Sequence, residues 1–158
     1  MQILPSIDIS GFVRHYLFLE GEGVAVHRLR LFPDGNTGIV VNTASPLTLE
    51  GQLLPDAFLY GQITEFKDIY CHGPARLFVV VVRPDGFNRL FGLDASELKD
   101  RVVVLGDVFG DEGDGLLCSL SGAVMRSLAY GKRQLLVPRM TVSSARPFLR
   151  WLNRVRLM

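Results

Sequence analysis

Apolar positions in this chain alternate with polar ones over short runs, and Gly, Pro, Asp and Asn clusters cut the runs apart from Phe12 to Leu105. This is the punctuation of an all-β unit. It predicts strands at Val13–Glu20, Val24–Phe32, Thr37–Asn42, Leu47–Leu49, Ala57–Gln62, Glu65–Tyr70, Arg76–Arg83 and Val102–Leu105. Strands at this spacing imply a sandwich or barrel. Within the second strand the period of two puts Ala25, His27, Leu29 and Leu31 on one face, with Arg28 and Arg30 on the other. Turn chemistry supports the cuts: Pro33-Asp34-Gly35-Asn36 supplies a fixed φ followed by residues that tolerate φ > 0, and Glu20-Gly21-Glu22-Gly23 breaks the first pair.

After Arg83 the period changes to that of helices. Phe87, Leu90 and Phe91 share a face of a short helix that Asp85 caps and Gly92 ends. Ser96-Glu97-Leu98 starts another helical turn, and Asp107-Val108-Phe109 a third. Further on, Leu117, Leu120, Val124 and Leu128 predict an amphipathic helix over Leu116–Leu128. A last helix is predicted over Ser144–Leu157, with Phe148, Leu149, Leu152 and Val155 as its apolar stripe and Arg146, Arg150 and Arg154 as a basic one.

Charge divides the chain in two. Residues 1–114 carry 9 basic and 16 acidic residues, a net of −7, whereas residues 115–158 carry 8 basic residues and no acid. The chain reads as an acidic body, 1–114, followed by a basic helical tail, 115–158. At 158 residues with 48% hydrophobic content it is long and apolar enough to build one core without staples. Cys71 and Cys118 are too few for a disulfide framework and read as free, reduced thiols. The start of the chain lacks a secretory pattern and the longest apolar run, Leu77 to Val82, is far too short to span a bilayer, so a cytoplasmic protein without a membrane contact is expected.

Catalytic and metal constellations are hard to assemble. A cupin-type metal site needs clustered histidines and a carboxylate converging on one ion, yet His15, His27 and His72 fall on different predicted strands. Cys71 and His72 are neighbours and so point to opposite faces of a strand. Neither a nucleophile elbow nor a phosphate-cradling loop occurs. The expectation is a protein that is not an enzyme and needs no cofactor. The tail could be an electrostatic footprint for phosphates, but it supplies at most two helices, short of a positioned recognition helix.

Three blocks, SGFVRHYLFLE at Ser10–Glu20, RLFPDGNTGIVVN at Arg30–Asn42 and AFLYGQIT leading into GPARLFVVVVRPDGFNRLFGLDASELKDRVVVLGDVFG at Ala57–Gly110, resemble the N-terminal sensor-type domain of one group of AraC-family bacterial transcriptional regulators. The order of strand, Arg-Pro-x-Gly, short helix ending Phe-Gly, and Glu-Leu-x-Asp-Arg carries the resemblance, which covers about residues 5 to 115. It implies a mainly β fold with C-terminal helices, a cupin-like double-stranded β-helix or jelly-roll barrel. It also implies a module that binds a small-molecule effector or forms a homodimer, and that meets DNA only through a separate helix-turn-helix half. That half does not follow here, so the basic tail is expected to be a junction or remnant, left by truncation or a shifted reading frame. Asp85 stands where relatives often carry a second glycine.

The candidate ligand-binding residues are His15, His27, Asn42, Tyr60, Gln62 and Arg83. Both histidines sit on otherwise apolar faces, beside Leu17 and Leu29, where a buried neutral imidazole is the plainer reading. Asn42, Tyr60 and Gln62 would be the few convergent polar groups that a small pocket needs if they face inward, and ordinary surface if they face out. Arg83 is held extended by Pro84 and is free to pair with an acid of the body or to receive an anionic effector. The rival readings are a stand-alone cupin-type metal-dependent enzyme and a purely structural dimerisation module.

Overall fold

In a computed structural model, described for residues 1–109 apart from 6, 8, 9, 24, 92 and 93, the chain is mainly β. The two helices predicted beyond Gly115, and Gly92 as a helix end, lie outside the described residues. The elements are β1 (Gln2–Ile3), β2 (Val13–Gly21), β3 (Val26–Leu31), β4 (Thr37–Asn42), β5 (Leu47–Leu49), β6 (Gln52–Leu53), β7 (Ala57–Tyr60), β8 (Lys67–His72), β9 (Ala75–Val82), α1 (Pro84–Phe91), a 3-10 turn (Ala95–Leu98), β10 (Val102–Val104) and α2 (Leu105–Phe109). They form a six-stranded antiparallel sheet in the order β1-β2-β9-β4-β7-β10 and a four-stranded one in the order β3-β8-β5-β6. All eight expected strands are present, with ends shifted by at most two residues. Two further strands, β1 and β6, are only two residues long, too short to show a period.

The central strands of the larger sheet, β4, β7 and β9, are buried on both faces, which is why TGIVVN, AFLY and ARLFVVVV read as apolar runs more than as alternation. One face carries Tyr16, Phe18, Ile39, Val41, Leu59, Phe78, Val80 and Val82, packed with Phe87 of α1, Leu98 of the 3-10 turn and Leu105 of α2. The other carries Val40, Phe58, Tyr60, Leu77, Val79 and Val81 and packs on Leu47, Ile69 and Cys71 of the smaller sheet. The outer face of that sheet holds Val26, Arg28 and Arg30, all exposed, while His27, Leu29 and Leu31 turn inward, as the alternation predicts.

Connections are set by local chemistry. β5 and β6 are joined by a two-residue loop, Glu50-Gly51, both at positive φ (52° and 79°), matching the twist of a tight hairpin. Between β3 and β4, the Asp34 carboxylate accepts hydrogen bonds from the Asn36 backbone N–H (3.0 Å) and side-chain amide (2.6 Å), which fixes the turn as an Asx-type clamp. At the end of β7, Gly61 donates to the Arg101 carbonyl (3.1 Å) and Gln62 accepts from the Asp100 N–H (2.8 Å). A side chain at Gly61 would collide with the Leu98 carbonyl, so glycine is what lets the 3-10 turn close against β7.

Candidate functional site

The register places two polar side chains, His15 and Tyr60, in one row across the larger sheet, on the face toward the smaller one. His15 pairs with Val81, Val81 with Gly38, Gly38 with Tyr60 and Tyr60 with Val102. Gly38 has no side chain, and the Tyr60 ring lies over it. A Cβ built at Gly38 would stand 2.7 Å from the phenolic oxygen. The ring therefore reaches from β7 across β4, in the direction of Val81 and His15.

Asp34, exposed in the turn before β4, acts by its charge on both His15 and Tyr60. Burial is the main cause that lowers the His15 pKa, with Arg14 adding to it and Asp34 opposing, so the imidazole is neutral at pH 7. Burial, and then Asp34, raises Tyr60 well above the usual phenol range. Gln62 donates to the Gly35 carbonyl (2.9 Å) and so ties the 32–36 turn to the end of β7. The larger sheet thus carries a half-buried imidazole on β2 and a buried phenol on β7, each acted on by the charge of the exposed Asp34.

His27 and Asn42 stand at the other end. Asn42 pairs with Leu77, which pairs with Leu19, four residues along β2 from His15 and so about 13 Å away at ~3.3 Å per residue. The rows between are filled by Val40, Phe58, Ile69 and Val79, all buried. Asn42 is used locally: its amide donates to the Ser45 carbonyl (2.8 Å) and its oxygen accepts from the Ala44 N–H (3.2 Å). His27 packs its ring on Gly21, where a Cβ would lie 3.1 Å away, and its Nε2 is buried without a hydrogen-bond partner among the described residues. Arg83 directly follows Val82, the partner of Thr37, at the His15 end of β9; it is exposed, with its Nε donating to the Ser10 carbonyl (3.0 Å).

Of the six candidates, His15 and Tyr60 share a row of the larger sheet with β9 and β4 between them, Gln62 follows Tyr60 along the chain, Arg83 lies two residues past Val81 of that row, and His27 and Asn42 stand toward the far end. Asp34 and Gly38 belong to the same end but were legible only as a turn residue and a strand glycine. The available signal was a glycine inside an apolar strand, a mark of close approach by a neighbour. Among the described residues, no group of three or more His, Cys, Asp or Glu could hold a metal ion. Cys71 is buried and free, and burial raises its thiol pKa. No helix among these residues is long and apolar enough to cross a membrane.

The two facing sheets, packed through apolar faces, define a mainly β domain. Residues 1–104 match a family described as a domain of unknown function, DUF6597, and the chain belongs to that family. No curated protein matches it.

Proposed function

We propose that this domain is the sensing part of an AraC-type transcriptional regulator, with a cupin-like jelly-roll architecture, and that it takes a small polar effector at the His15–Asp34–Tyr60 end of the inter-sheet space. The reading is supported by His15 and Tyr60, an imidazole and a phenol in one row of an otherwise apolar inter-sheet face, both acted on by the charge of Asp34. A few convergent polar groups on an apolar wall are what orient a small ligand. The motif order over residues 10–110 supports the regulatory context, in which the domain is cytoplasmic, has no catalytic role and reaches DNA only through a separate domain. Occupancy of the site would bias how the C-terminal segment packs on the body or on a second subunit.

Thermal melting of the full chain against a panel of small polar metabolites tests the idea. A compound that raises the melting temperature of the parent protein should lose its effect in Tyr60→Phe and His15→Gln, while the unliganded variants melt near the parent. Ligands that stabilise both variants as well as the parent would refute the site.

The packed rows of Val40, Phe58, Ile69 and Val79 favour a second reading, a structural pairing module with a filled interior. Under that reading sedimentation shows a dimer whose stability no compound in the panel changes.

A further inference from the structure

Arg83 is not paired with an acid of the body. Among the described residues its Nε donates to the Ser10 carbonyl (3.0 Å), and the ion pairs there are those of Arg30 with Asp68 and of Lys67 with Glu50. A carbonyl holds the guanidinium in place without cancelling its charge, and the side chain is exposed.

Two more arginines gather on the same stretch of chain. Arg89 of α1 lays its guanidinium over the Phe12 ring, 4.8 Å from the centroid. The helix can bring it there because Gly86 has no side chain: a Cβ would stand 2.6 Å from the Phe12 carbonyl oxygen, so α1 rests directly on the backbone of Phe12. Arg83 flanks that residue as well, its backbone N–H donating to the Phe12 carbonyl (2.8 Å). Just beyond, Val13 pairs with Val82 but His15 with Val81, which makes Arg14 the extra residue of a bulge in β2. A bulge bends its strand and re-aims the side chain it carries. Arg14 is exposed and forms no ion pair among the described residues.

These three cations sit in a body whose net charge over residues 1–114 is −7. Asp85, two residues after Arg83 and four before Arg89, forms an ion pair with neither. Of the two charges that act on His15, that of Arg14 is stronger than the opposing one of Asp34, so the field beside the bulge is positive although the body is acidic. Arg83 and Arg89 are moreover held by neutral groups, a carbonyl and a ring. An incoming anion therefore meets guanidinium groups whose ordering is already in place and whose charge is intact.

We propose that Arg14, Arg83 and Arg89 form a binding site for a phosphoryl group, taken as free phosphate or as the ester of a small molecule. A tetrahedral dianion offers oxygens to more than one guanidinium fork, whereas a carboxylate is satisfied by one. Arg83 supplies the edge that Ser10 does not use, Arg89 the N–H edge of a guanidinium whose face lies on Phe12, and Arg14 further positive charge from β2. The site uses neither His15 nor Tyr60 and is independent of the effector reading.

The test titrates the full ¹⁵N-labelled chain at neutral pH with inorganic phosphate, glycerol 3-phosphate and acetate, with sodium chloride adjusted to hold the ionic strength constant. Saturable amide shifts over residues 10–14 and 83–89 are expected with both phosphates, and acetate should bind about tenfold more weakly. Arg14→Gln, at an exposed position outside the core, and Arg89→Gln should each weaken phosphate about tenfold. Arg83→Lys, which keeps the charge but loses the fork, should weaken it too. Arg28→Gln, on the outer face of the smaller sheet, should bind as the parent does. Tighter binding of the ester supports a small-molecule ester as the source of the phosphoryl group, and tighter binding of phosphate supports the free ion. Shifts that do not saturate, equal binding of acetate, or an equal loss in Arg28→Gln would each overturn the proposal. Tyr60→Phe should leave phosphate binding unchanged, so failure of the effector site is seen separately.

Discussion

The Tyr60 ring occupies the space above Gly38 that any side chain at that position would need, with 2.7 Å between its hydroxyl and the place of a Cβ. The two residues are direct partners across β4 and β7. Gly38→Ala should therefore cost about 1–3 kcal/mol, the range for overpacking a filled core, read as a lower urea midpoint. Combining it with Tyr60→Leu should recover part of the loss, because the ring contact is then gone.

Gly61→Ala should act on a different element. The added methyl meets the Leu98 carbonyl, so the 3-10 turn of Ala95–Leu98 must move away from β7. Hydrogen exchange at residues 98–101 should accelerate more than in the centre of β9. Uniform acceleration throughout the domain would show that the turn is not a separate unit.

Two hydroxyls are buried without a hydrogen-bond partner among the described residues, Tyr16 Oη and Thr37 Oγ1. An unsatisfied buried polar group costs about 1–3 kcal/mol relative to a satisfied one. Tyr16→Phe and Thr37→Val should accordingly leave stability unchanged or raise it, by up to about 1 kcal/mol. Chemical denaturation of the two variants decides this, and a clear loss in either would mean that the hydroxyl contributes to the native state.

Alkaline stability should be governed by the buried phenols. Burial pushes Tyr16 up to about 12, and Tyr60 is raised as well, chiefly by burial. In the unfolded chain both ionise near pH ~10. The unfolded state therefore releases protons first, and stability is lost as pH rises past about 10. Urea midpoints between pH 9 and 11.5 should fall, and less steeply in Tyr16→Phe.

At the acid end the sign reverses. Asp68 is held low by its hydrogen bond from Arg30, Asp94 by the Ser96 backbone N–H and Asp100 by the Thr64 backbone N–H. Each favours the folded state above the unfolded carboxylate value of about 3.9, and that contribution disappears as pH falls through the lower folded values. Asp100→Asn keeps an acceptor for Thr64 and should flatten the fall below pH ~4, as followed by circular dichroism.

Much of the strand framework was legible because side-chain period and turn chemistry are local. Thr37–Asn42 and Leu47–Leu49 match their predicted ends, and Phe87 of α1 is buried in the core. The site was only half legible for a different reason. Period two says that His15 and His27 both face inward, but not which rows they occupy. That depends on the pairing of His15 with Val81 and of His27 with Cys71, and these pairings join residues far apart in the chain. Likewise Asn42 carried the right chemistry for a ligand but is consumed by the Ser45 and Ala44 backbone, a use that only the folded turn reveals.

Residues 60–62 span three consecutive positions and hold three distant parts of the molecule: the phenol at the polar end, the glycine under the 3-10 turn, and the glutamine that grips the 32–36 turn. Through the Gly61–Arg101 and Gln62–Asp100 backbone bonds, those three residues fasten the turn before β4 to the segment that leads into β10 and α2.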